Sequence, residues 1–224
     1  RADPDHLTRL DHLLSAETAR RLASLIDPAR AMPDPAAAAE AVHRDTIYLT
    51  VVDRDRMAVS LIYSIYHAFG SGIATDRYGI LLHNRGAGFN LVAGHPNEAQ
   101  GGKRPMHTII PAMLTRHGRV TMPFGVMGGA YQATGHARLI SDIVDFGMHP
   151  QQSFERPRAF SDSGTLKLER GVAPGVAAAL EARGHRICVP HAPIGGAQAI
   201  VIDEAAGVLV GASDPRKDGC ALGY

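Results

Sequence analysis

At Thr46 the hydrophobic pattern of the chain changes from the spacing of a helix to the alternation of a strand. The stretch TIYLTVV alternates, the polar DRDR is typical of a loop, and MAVSLIYS alternates again, which predicts a β-hairpin over 46–64. Before it, helices are predicted from the N-cap Ser15 through SAETARRLASLI and from Pro35 through PDPAAAAEAV. Any fold of this chain must therefore place a threonine hydroxyl where its first strand begins.

Beyond this hairpin the sequence predicts a strand, a long loop and a second hairpin. YGILLHN at 78–84 is predicted as a short strand, and the segment 85–105 is rich in Gly, Pro and Asn. That segment is too long for a tight connector, which makes it a candidate lid or binding loop. HTIIPAML and RVTMPFGVM predict a hairpin that turns at His117 and Gly118.

Two amphipathic helices and several strands complete the predicted order. AYQATGHARLISDIVDF ends at Gly147, and PGVAAALEARG begins at Pro174 and ends at Gly184. Two layers of sheet with helices packed outside them account for this order better than alternating βαβ units, so we expect an α+β fold. The remaining strand-like stretches are LKLE, RICVP, AQAIVID and GVLVGASD.

Charge and composition argue against several classes of partner. Lys plus Arg (23) nearly cancels Asp plus Glu (22), and aromatic residues make up only 5%, so no nucleic-acid partner is expected. No apolar run approaches the roughly 18 residues of a membrane span, and the first residues lack the order of a signal peptide, so we expect a soluble chain. Cys188 and Cys220 cannot make a dense disulfide framework and lack the spacing of a zinc site.

Thr46 can become a nucleophile if the bond between Asp45 and Thr46 is cut. The freed α-amino group would lie on the same residue as the hydroxyl. Such an amine titrates at roughly 7.7 to 8.0, so near neutral pH part of it can act as a base for Oγ1. β-Propensity alone is the ordinary reason for a threonine at the start of a strand. The cleavage hypothesis adds that one residue would supply both nucleophile and base.

Gly128 and Gly129 join a predicted strand to a predicted helix and have two compatible interpretations. Paired glycines at such a junction most often form a tight turn. Two backbone N–H groups that point outwards at a helix N-terminus are also suited to stabilise a tetrahedral oxyanion.

Other catalytic chemistries find little support in the sequence. No histidine pair at helical spacing comes with a carboxylate, and His107 and His117 flank a predicted hairpin, so neither a metal site nor a cofactor is expected. There is no G-x-S-x-G motif and no phosphate-binding loop, and GAGF at 86–89 lacks the third glycine of a dinucleotide fingerprint. Asp142 and Asp145 lie on one predicted helix, where a solvated face explains them.

A series of stretches resembles successive landmarks of the small subunit of γ-glutamyltranspeptidases. They run in order as DTIYLTVVDRD, AVSLIYSIYHAFGSGI, GILLHNRGAGF, KRPMHTIIPAM, GVMGGAYQ, DFGM, LKLE and GASDPRKDGCALGY. The resemblance implies an N-terminal nucleophile hydrolase with a four-layer αββα sandwich, made as a precursor that cuts itself before the threonine. It also implies that residues 1–45 are the helical tail of the large subunit and that 46–224 are the catalytic small subunit.

The same resemblance implies roles for particular residues. Thr46 corresponds to the nucleophile, with autocleavage between Asp45 and Thr46. Ser64 takes the place of a second threonine, whose hydroxyl hydrogen-bonds the nucleophile. Gly128 and Gly129 take the places of the oxyanion-hole glycines.

The chain departs from γ-glutamyl enzymes at the positions that bind substrate. Tyr66 replaces an asparagine, Arg85 and Gly88 replace a glutamine and an aspartate, and His107 and Thr108 replace two serines. Losing the carboxylate leaves a substrate α-ammonium unpaired and Arg85 adds a cation, so a zwitterionic glutamyl head should bind poorly. A small amide beside a carboxylate fits better, as in the oxamate amidohydrolase-like branch, with Arg85, His107 and Tyr66 closing a short pocket.

The sequence therefore predicts a self-processing threonine amidohydrolase that acts through an acyl-enzyme. The alternatives are a γ-glutamyltransferase or glutathione hydrolase, a cephalosporin acylase with a longer acyl pocket, and an inactive relative that only binds a ligand. The expected partners are a small-molecule amide and the large subunit of the same precursor, in a heterodimer that can pair with a second one. We expect a cytoplasmic location, with the periplasm as the alternative.

Overall fold

The computed structural model describes residues 3–7, 9–32 and 46–224 of the chain. Its first strand begins at Thr46, where the sequence pattern changes from helical spacing to alternation. The described strands are β1 (Thr46–Val52), β2 (Ala58–Ser64), β3 (Pro111–Arg116), β4 (Arg119–Met127), β5 (Ala159–Asp162), β6 (Thr165–Leu168), β7 (Ile187–Cys188), β8 (Gly196–Asp203) and β9 (Val208–Ser213).

Helices precede the first strand and lie between the later ones. Ser15 caps the second of them, because its Oγ accepts a hydrogen bond from the backbone N–H of Thr18 at 3.1 Å, as predicted. The short helix predicted from Pro35 lies outside the described residues. The described helices are α1 (Leu10–Leu14), α2 (Ala16–Ala23), α3 (Tyr131–Val144), α4 (Pro150–Glu155) and α5 (Pro174–Ala182), with 3-10 turns at Pro4–His6 and Arg85–Gly88.

The described strands form three sheets. β1 pairs with β2 in one; β3, β4, β8 and β9 follow in that order in the second; β5, β6 and β7 form the third. Both predicted hairpins are confirmed. The first places Thr46 opposite Ser64, and the second turns at His117 and Gly118, whose φ angles of 51° and 77° are left-handed. The division of the chain at Thr46 into a large-subunit tail and a catalytic core stays a prediction.

The four-stranded sheet has a helical face and a hairpin face. On one side the ring centroid of Phe124 lies 5.5 Å from that of His136 in α3. On the other side Gly125 packs under the ring of Tyr48 in β1, so closely that a Cβ at Gly125 would overlap the ring. Because side chains alternate along a strand, α3 and the β1–β2 hairpin lie on opposite faces of β4. The predicted α+β class is therefore confirmed.

The hydrophobic core lies between the helical layer and the four-stranded sheet. α4 packs beside α3 and also contacts β8 and β9, so that both helices cover this face. The buried apolar side chains there come from these elements and their connections: Met122, Phe124, Val126, Tyr131, Leu139, Phe154, Ile194, Ala197, Ala199 and Ala212.

The hydroxyl of Ser60 in β2 ties the hairpin to the four-stranded sheet. It donates to the carbonyl oxygen of Phe124 in β4 at 3.3 Å and accepts from the backbone N–H of Ala112 in β3 at 3.1 Å. Since its one proton goes to Phe124, the hydroxyl of Tyr48, 2.8 Å away, donates to it. Burial raises the pKa of Tyr48, which keeps that proton in place. Four strands thus meet at one hydroxyl.

His136 joins α3 to β4 on the opposite face. Its Nε2 accepts from the backbone N–H of Val126 at 3.3 Å, and its Nδ1 lies 2.6 Å from the carbonyl oxygen of Gln132. This pair of contacts fits a neutral ring protonated on Nδ1. Burial lowers the pKa of His136, which agrees with that assignment.

One predicted element needs correction, and three observed elements were not predicted. The strand predicted at 78–84 is wrong: Leu81 forms an isolated bridge with Ala74, and the apolar side chains around it are exposed rather than packed on a sheet. α1, α4 and β5 were not predicted, because each is short and carries no long periodic pattern.

The solvated-face interpretation of Asp142 is also wrong. Asp142 is 3% exposed, and its carboxylate accepts from Ser153 Oγ at 2.7 Å and from Arg156 Nη1 at 2.5 Å. Asp145 is exposed, as expected. The two carboxylates therefore lie in different environments, although Asp145 directly follows the helix that holds Asp142.

Within the described part of the chain, no helix is long and apolar enough to cross a membrane.

Candidate active site

Thr46 and Ser64 form a pair of hydroxyls at the open end of the β1–β2 hairpin. Their register places them directly opposite each other, and Thr46 Oγ1 donates to Ser64 Oγ at 3.2 Å. Ser64 Oγ also accepts from the backbone N–H of Tyr66 at 3.0 Å. One oxygen therefore accepts two hydrogen bonds and orients the half-buried Thr46 side chain.

The backbone of Tyr66 is strained in the position that makes this contact. Its φ angle is 81°, which costs an aromatic residue roughly 1–3 kcal/mol and must be held by its surroundings. The Tyr66 side chain is 4% exposed, and its ring stacks on that of His67 with 4.6 Å between centroids. The guanidinium carbon of Arg85 lies 5.0 Å from the centre of the Tyr66 ring. Tyr66 thus connects Ser64 to the one candidate substrate cation, Arg85.

Asn84 holds the strained turn, and the sequence did not indicate this role. Its Oδ1 accepts from the backbone N–H of His67 at 3.0 Å, and its Nδ2 lies 2.7 Å from Nδ1 of the same residue. Its own backbone N–H donates to the carbonyl oxygen of Ile65 at 3.2 Å. Asn84 therefore binds the residues on both sides of Tyr66, and it places Arg85, the next residue in the chain, against the Tyr66 ring. An asparagine directly before a candidate binding residue was the available signal.

Gly128 and Gly129 form the turn between β4 and α3. Their φ angles are 127° and 59°, and their carbonyl oxygens accept from the N–H groups of Tyr131 and Gln132 at 3.2 and 3.1 Å. A Cβ on Gly128 would lie 2.8 Å from the Cα of Gly195, so space as well as conformation requires glycine there. The turn precedes the N-terminus of α3, where the helix dipole favours negative charge.

The long loop connects the turn that begins at Arg85 to the segment before His107 and Thr108. The side-chain amide of the buried Asn97 donates to the carbonyl oxygen of Gly88 at 2.7 Å and accepts from the N–H of Met106 at 2.8 Å. A Cβ on Gly88 would lie 2.7 Å from the carbonyl oxygen of Met106, so a larger side chain there would require the loop to shift. Next in the chain come His107, which is exposed, and Thr108, which is 6% exposed.

The structure thus brings some predicted site residues together and leaves others apart. Thr46, Ser64, Tyr66 and Arg85 are linked by successive contacts. No hydrogen bond joins Thr46 to His107, Thr108 or the glycine pair within the described residues, and Asp45 lies outside them. The catalytic and binding roles of all these residues stay predictions.

The whole chain, residues 1–224, matches the family model described as Gamma-glutamyltranspeptidase. The chain belongs to this family. Its relatives and structural neighbours are proenzymes and N-terminal nucleophile hydrolases of the γ-glutamyltranspeptidase family, as the sequence motifs predicted. Their architecture agrees with the α+β fold described above.

Two curated relatives of the γ-glutamyltranspeptidase family show how specific the likeness is. The chain is 37% identical over 96% of its length to the glutathione hydrolase-like YwrD proenzyme of Bacillus subtilis. It is 36% identical over 99% of its length to the oxamate amidohydrolase proenzyme of Klebsiella pneumoniae. It spans 42% and 43% of those two relatives, less than half of each.

Solved structures of the γ-glutamyltranspeptidase family share the fold. A cephalosporin acylase from Bacillus halodurans superimposes on the whole chain with a TM-score of 0.86 at 34% identity, and the match covers 42% of that protein. A γ-glutamyltranspeptidase from Pseudomonas nitroreducens, complexed with L-DON, superimposes on 79% of the chain with a TM-score of 0.72 at 26% identity, and the match covers 98% of the neighbour's chain.

Proposed function

We propose that this chain carries the catalytic small subunit, with the end of the large subunit before it, of a self-processing amidohydrolase whose nucleophile is Thr46. The observation that carries the proposal is the hydrogen bond from Thr46 Oγ1 to Ser64 Oγ at the first residue of β1. Cleavage between Asp45 and Thr46 would expose an α-amine beside an oriented hydroxyl on a rigid strand.

The proposed reaction proceeds through an ester of Thr46. The α-amine accepts the hydroxyl proton as Oγ1 attacks the amide carbonyl carbon, and the N–H groups of Gly128 and Gly129 stabilise the oxyanion. Collapse of this intermediate expels the leaving amine, which takes the proton back from the α-ammonium. Water then attacks the ester, with the amine again as base, and releases the acid.

The surroundings of Tyr66 favour a small substrate that bears a carboxylate. Arg85 supplies a half-buried cation against the Tyr66 ring, and at Gly88 the carbonyl oxygen of Met106 leaves no room for the aspartate of γ-glutamyl enzymes. A guanidinium binds a carboxylate strongly and repels an α-ammonium. We therefore propose an amide such as oxamate, in line with the Klebsiella relative.

A glutathione hydrolase or γ-glutamyltransferase is the second candidate, and the similarity to the glutathione hydrolase-like Bacillus relative favours it. Its ammonium-binding groups would have to come from outside this chain. A cephalosporin acylase activity follows third, from the Bacillus halodurans structure.

The outer face of the β1–β2 hairpin is the proposed contact with the rest of the large subunit. Its apolar side chains form one continuous surface and are 42–62% exposed. The relatives contain more than half of their length outside the region that this chain matches, enough to cover it. The face consists of Ile47, Leu49, Val51, Val59, Leu61 and Tyr63.

Intact mass spectrometry of the full-length precursor tests the proposal. Wild-type precursor should split into two products, one beginning at Thr46, whereas Thr46→Ala should stay whole and turn over neither oxamate nor glutathione. Thr50→Ala is the matched control, because Thr50 lies on the same strand but donates to the carbonyl oxygen of Val59 within the hairpin. It should split normally.

The substrate consumed by the split enzyme decides among the candidates. Oxamate hydrolysis supports the first, and cleavage of γ-glutamyl-p-nitroanilide or glutathione supports the second. If the Thr46→Ala precursor were still cleaved and still active, the proposal would be wrong. A wild-type precursor that stays whole and binds ligand without turnover would instead indicate an inactive relative.

A further inference from the structure

Asp3, far upstream of the nucleophile strand, is buried against the long loop. It is 3% exposed, and its carboxylate accepts three hydrogen bonds from Arg104: from the backbone N–H at 2.9 Å, from Nε at 3.1 Å and from Nη2 at 2.8 Å. The hydrogen bonds from Arg104 hold the pKa of Asp3 well below its usual range. This is a two-pronged guanidinium–carboxylate pair with a backbone contact added, which fixes geometry far better than an ordinary surface ion pair.

Asp5 contacts the same guanidinium in a weaker way. Its Oδ2 accepts from Arg104 Nη2 at 2.9 Å, but its side chain is 77% exposed. Solvent therefore competes for this contact, and its loss leaves the bidentate pair with Asp3 in place. Asp5 provides a natural internal comparison for Asp3.

Arg104 lies where the long loop connects to the candidate substrate residues. Met106, two residues on, is bound through Asn97 to Gly88, the last residue of the turn that begins at Arg85. His107 and Thr108 follow directly. Fixing the backbone N–H of Arg104 therefore fixes one side of a short network whose other side is the Arg85–Gly88 turn.

The other described residues before Thr46 are packed only weakly against the rest of the protein. α1 and α2 are mostly exposed, and Asp3 and Thr18 are the buried polar residues among those described before Thr46. Away from the loop, the backbone N–H of Ala31 donates to the carbonyl oxygen of Arg183 at 2.7 Å. Among the described residues before Thr46, Asp3 is thus the buried one that binds the loop leading to the candidate site.

We propose that Asp3 is a positioning residue for substrate binding, contributed by the segment before Thr46 to a loop that follows it. Since cleavage would fall between Asp45 and Thr46, the pair would join two separate fragments in the mature enzyme; this part of the inference rests on the proposed function. Asp3 holds the 88–106 network closed, so that Arg85, His107 and Thr108 keep their positions when substrate enters.

The test compares Asp3→Asn with Asp5→Asn in the full-length precursor. Asparagine keeps the size of the side chain but removes its charge, so it weakens the hydrogen bonds with Arg104. For whichever of oxamate and glutathione the wild type consumes, Asp3→Asn should raise KM about tenfold with kcat within about twofold, because charge-assisted hydrogen bonds are lost. Asp5→Asn should change neither constant by more than about twofold.

Backbone hydrogen exchange gives a readout independent of turnover. In Asp3→Asn the N–H of Met106 should exchange faster, while amides of β4 and α3 keep their wild-type rates; Asp5→Asn should leave Met106 unchanged. Arg104→Gln should repeat the Asp3→Asn result, and the double variant should be no worse than either single one.

The outcomes separate this inference from the proposed function. Suppose that the wild-type precursor splits and is active, but Asp3→Asn keeps the wild-type KM and the wild-type exchange rate at Met106. This inference would then be wrong, while the proposed function would stand. Equal losses in kcat, in thermal stability and in exchange protection throughout the protein would also overturn it, because they would show a purely structural role. If the wild type does not split, the proposed function fails, and the exchange comparison still decides whether Asp3 holds the loop.

Discussion

The site around Thr46 (the Thr46 corner) and a buried group of ion pairs (the charged cluster) are both polar, yet the first is held by neutral groups and the second by charges. At the corner, hydroxyls and backbone N–H groups meet: Thr46 and Tyr66 both donate to Ser64. In the cluster, Arg158 pairs with Asp214, which is fully buried, and Arg216 pairs with Glu169 at 2.6 Å.

The charged cluster clamps the backbone next to the glycine turn. Arg158 Nη1 donates to the carbonyl oxygen of Ile194 at 2.7 Å, and Glu169 accepts from the Ile194 N–H at 2.8 Å. Ile194 precedes Gly195, whose Cα lies under Gly128. Burial raises the pKa of Glu169, but Arg216 and two backbone N–H groups more than offset it, so the pKa lies below its usual range.

This contrast shows where strong charges lie in the chain. Ion pairs fix backbone segments that must not move, whereas the hydroxyl expected to react is oriented by neutral groups. A fixed charge at Thr46 would bias its proton transfer in one direction, while the proposed cycle needs the proton to leave and return. We therefore expect damage to the cluster to appear in stability and damage to the corner to appear in rate.

The largest expected effect is on the cluster. Asp214→Asn leaves the buried Arg158 cation without its charged partner, so the free energy of unfolding should fall by about 3–5 kcal/mol. Urea denaturation of the purified protein measures this. Asp218→Asn, an exposed position on the same segment, is the control and should stay within about 0.5 kcal/mol of wild type. If Asp214→Asn were as stable as wild type, the charged cluster would not stabilise the fold.

At the corner, Ser64→Ala should slow reaction without unfolding the protein. It removes the acceptor that orients Thr46 Oγ1, so the rate of cleavage before Thr46 should fall about tenfold to a hundredfold, while the free energy of unfolding changes by about 1 kcal/mol or less. The cleavage rate is followed by intact mass against time. Ser64→Thr restores a hydroxyl and should recover most of the rate. A stability loss as large as that of Asp214→Asn would break the contrast between the two regions.

Features read from short stretches of sequence were predicted well. The alternation on either side of DRDR predicted the β1–β2 hairpin, whose observed register places Thr46 opposite Ser64. The strand predicted at 78–84 was wrong because a short apolar stretch does not by itself show that a partner strand is present, and these side chains are exposed instead. The family motifs supplied the candidate site residues, and their order along the chain was enough to identify the family.

Contacts between distant parts of the sequence were not predictable in this way. Nothing local pairs Arg158 with Asp214, or Asp3 with Arg104, and the surface assignment of Asp142 failed for the same reason. Asn84 was missed because its partners lie on another turn and its effect on Tyr66 is conformational. A sequence pattern indicates which face of an element is apolar, but it does not indicate which distant charged side chain will contact that element.

The smallest expected effect comes from His136, which joins α3 to the helical face of β4. Burial lowers its pKa below the ordinary 6.5, so the unfolded chain binds a proton at this residue more readily than the folded protein does. Its contribution to stability is therefore complete above about pH 6.5 and is lost as the pH falls below that value, by at most about 1.4 kcal/mol per pH unit.

Urea denaturation at pH 7.5 and pH 5.5 checks this dependence. Wild type should lose about 1 kcal/mol more between the two values than His136→Gln does. His117→Asn, in the exposed β3–β4 turn, is the control and should keep the wild-type dependence. If His136→Gln showed the same pH dependence as wild type, the pKa of His136 would be the same in the folded and unfolded states, and burial in the fold would not be lowering it.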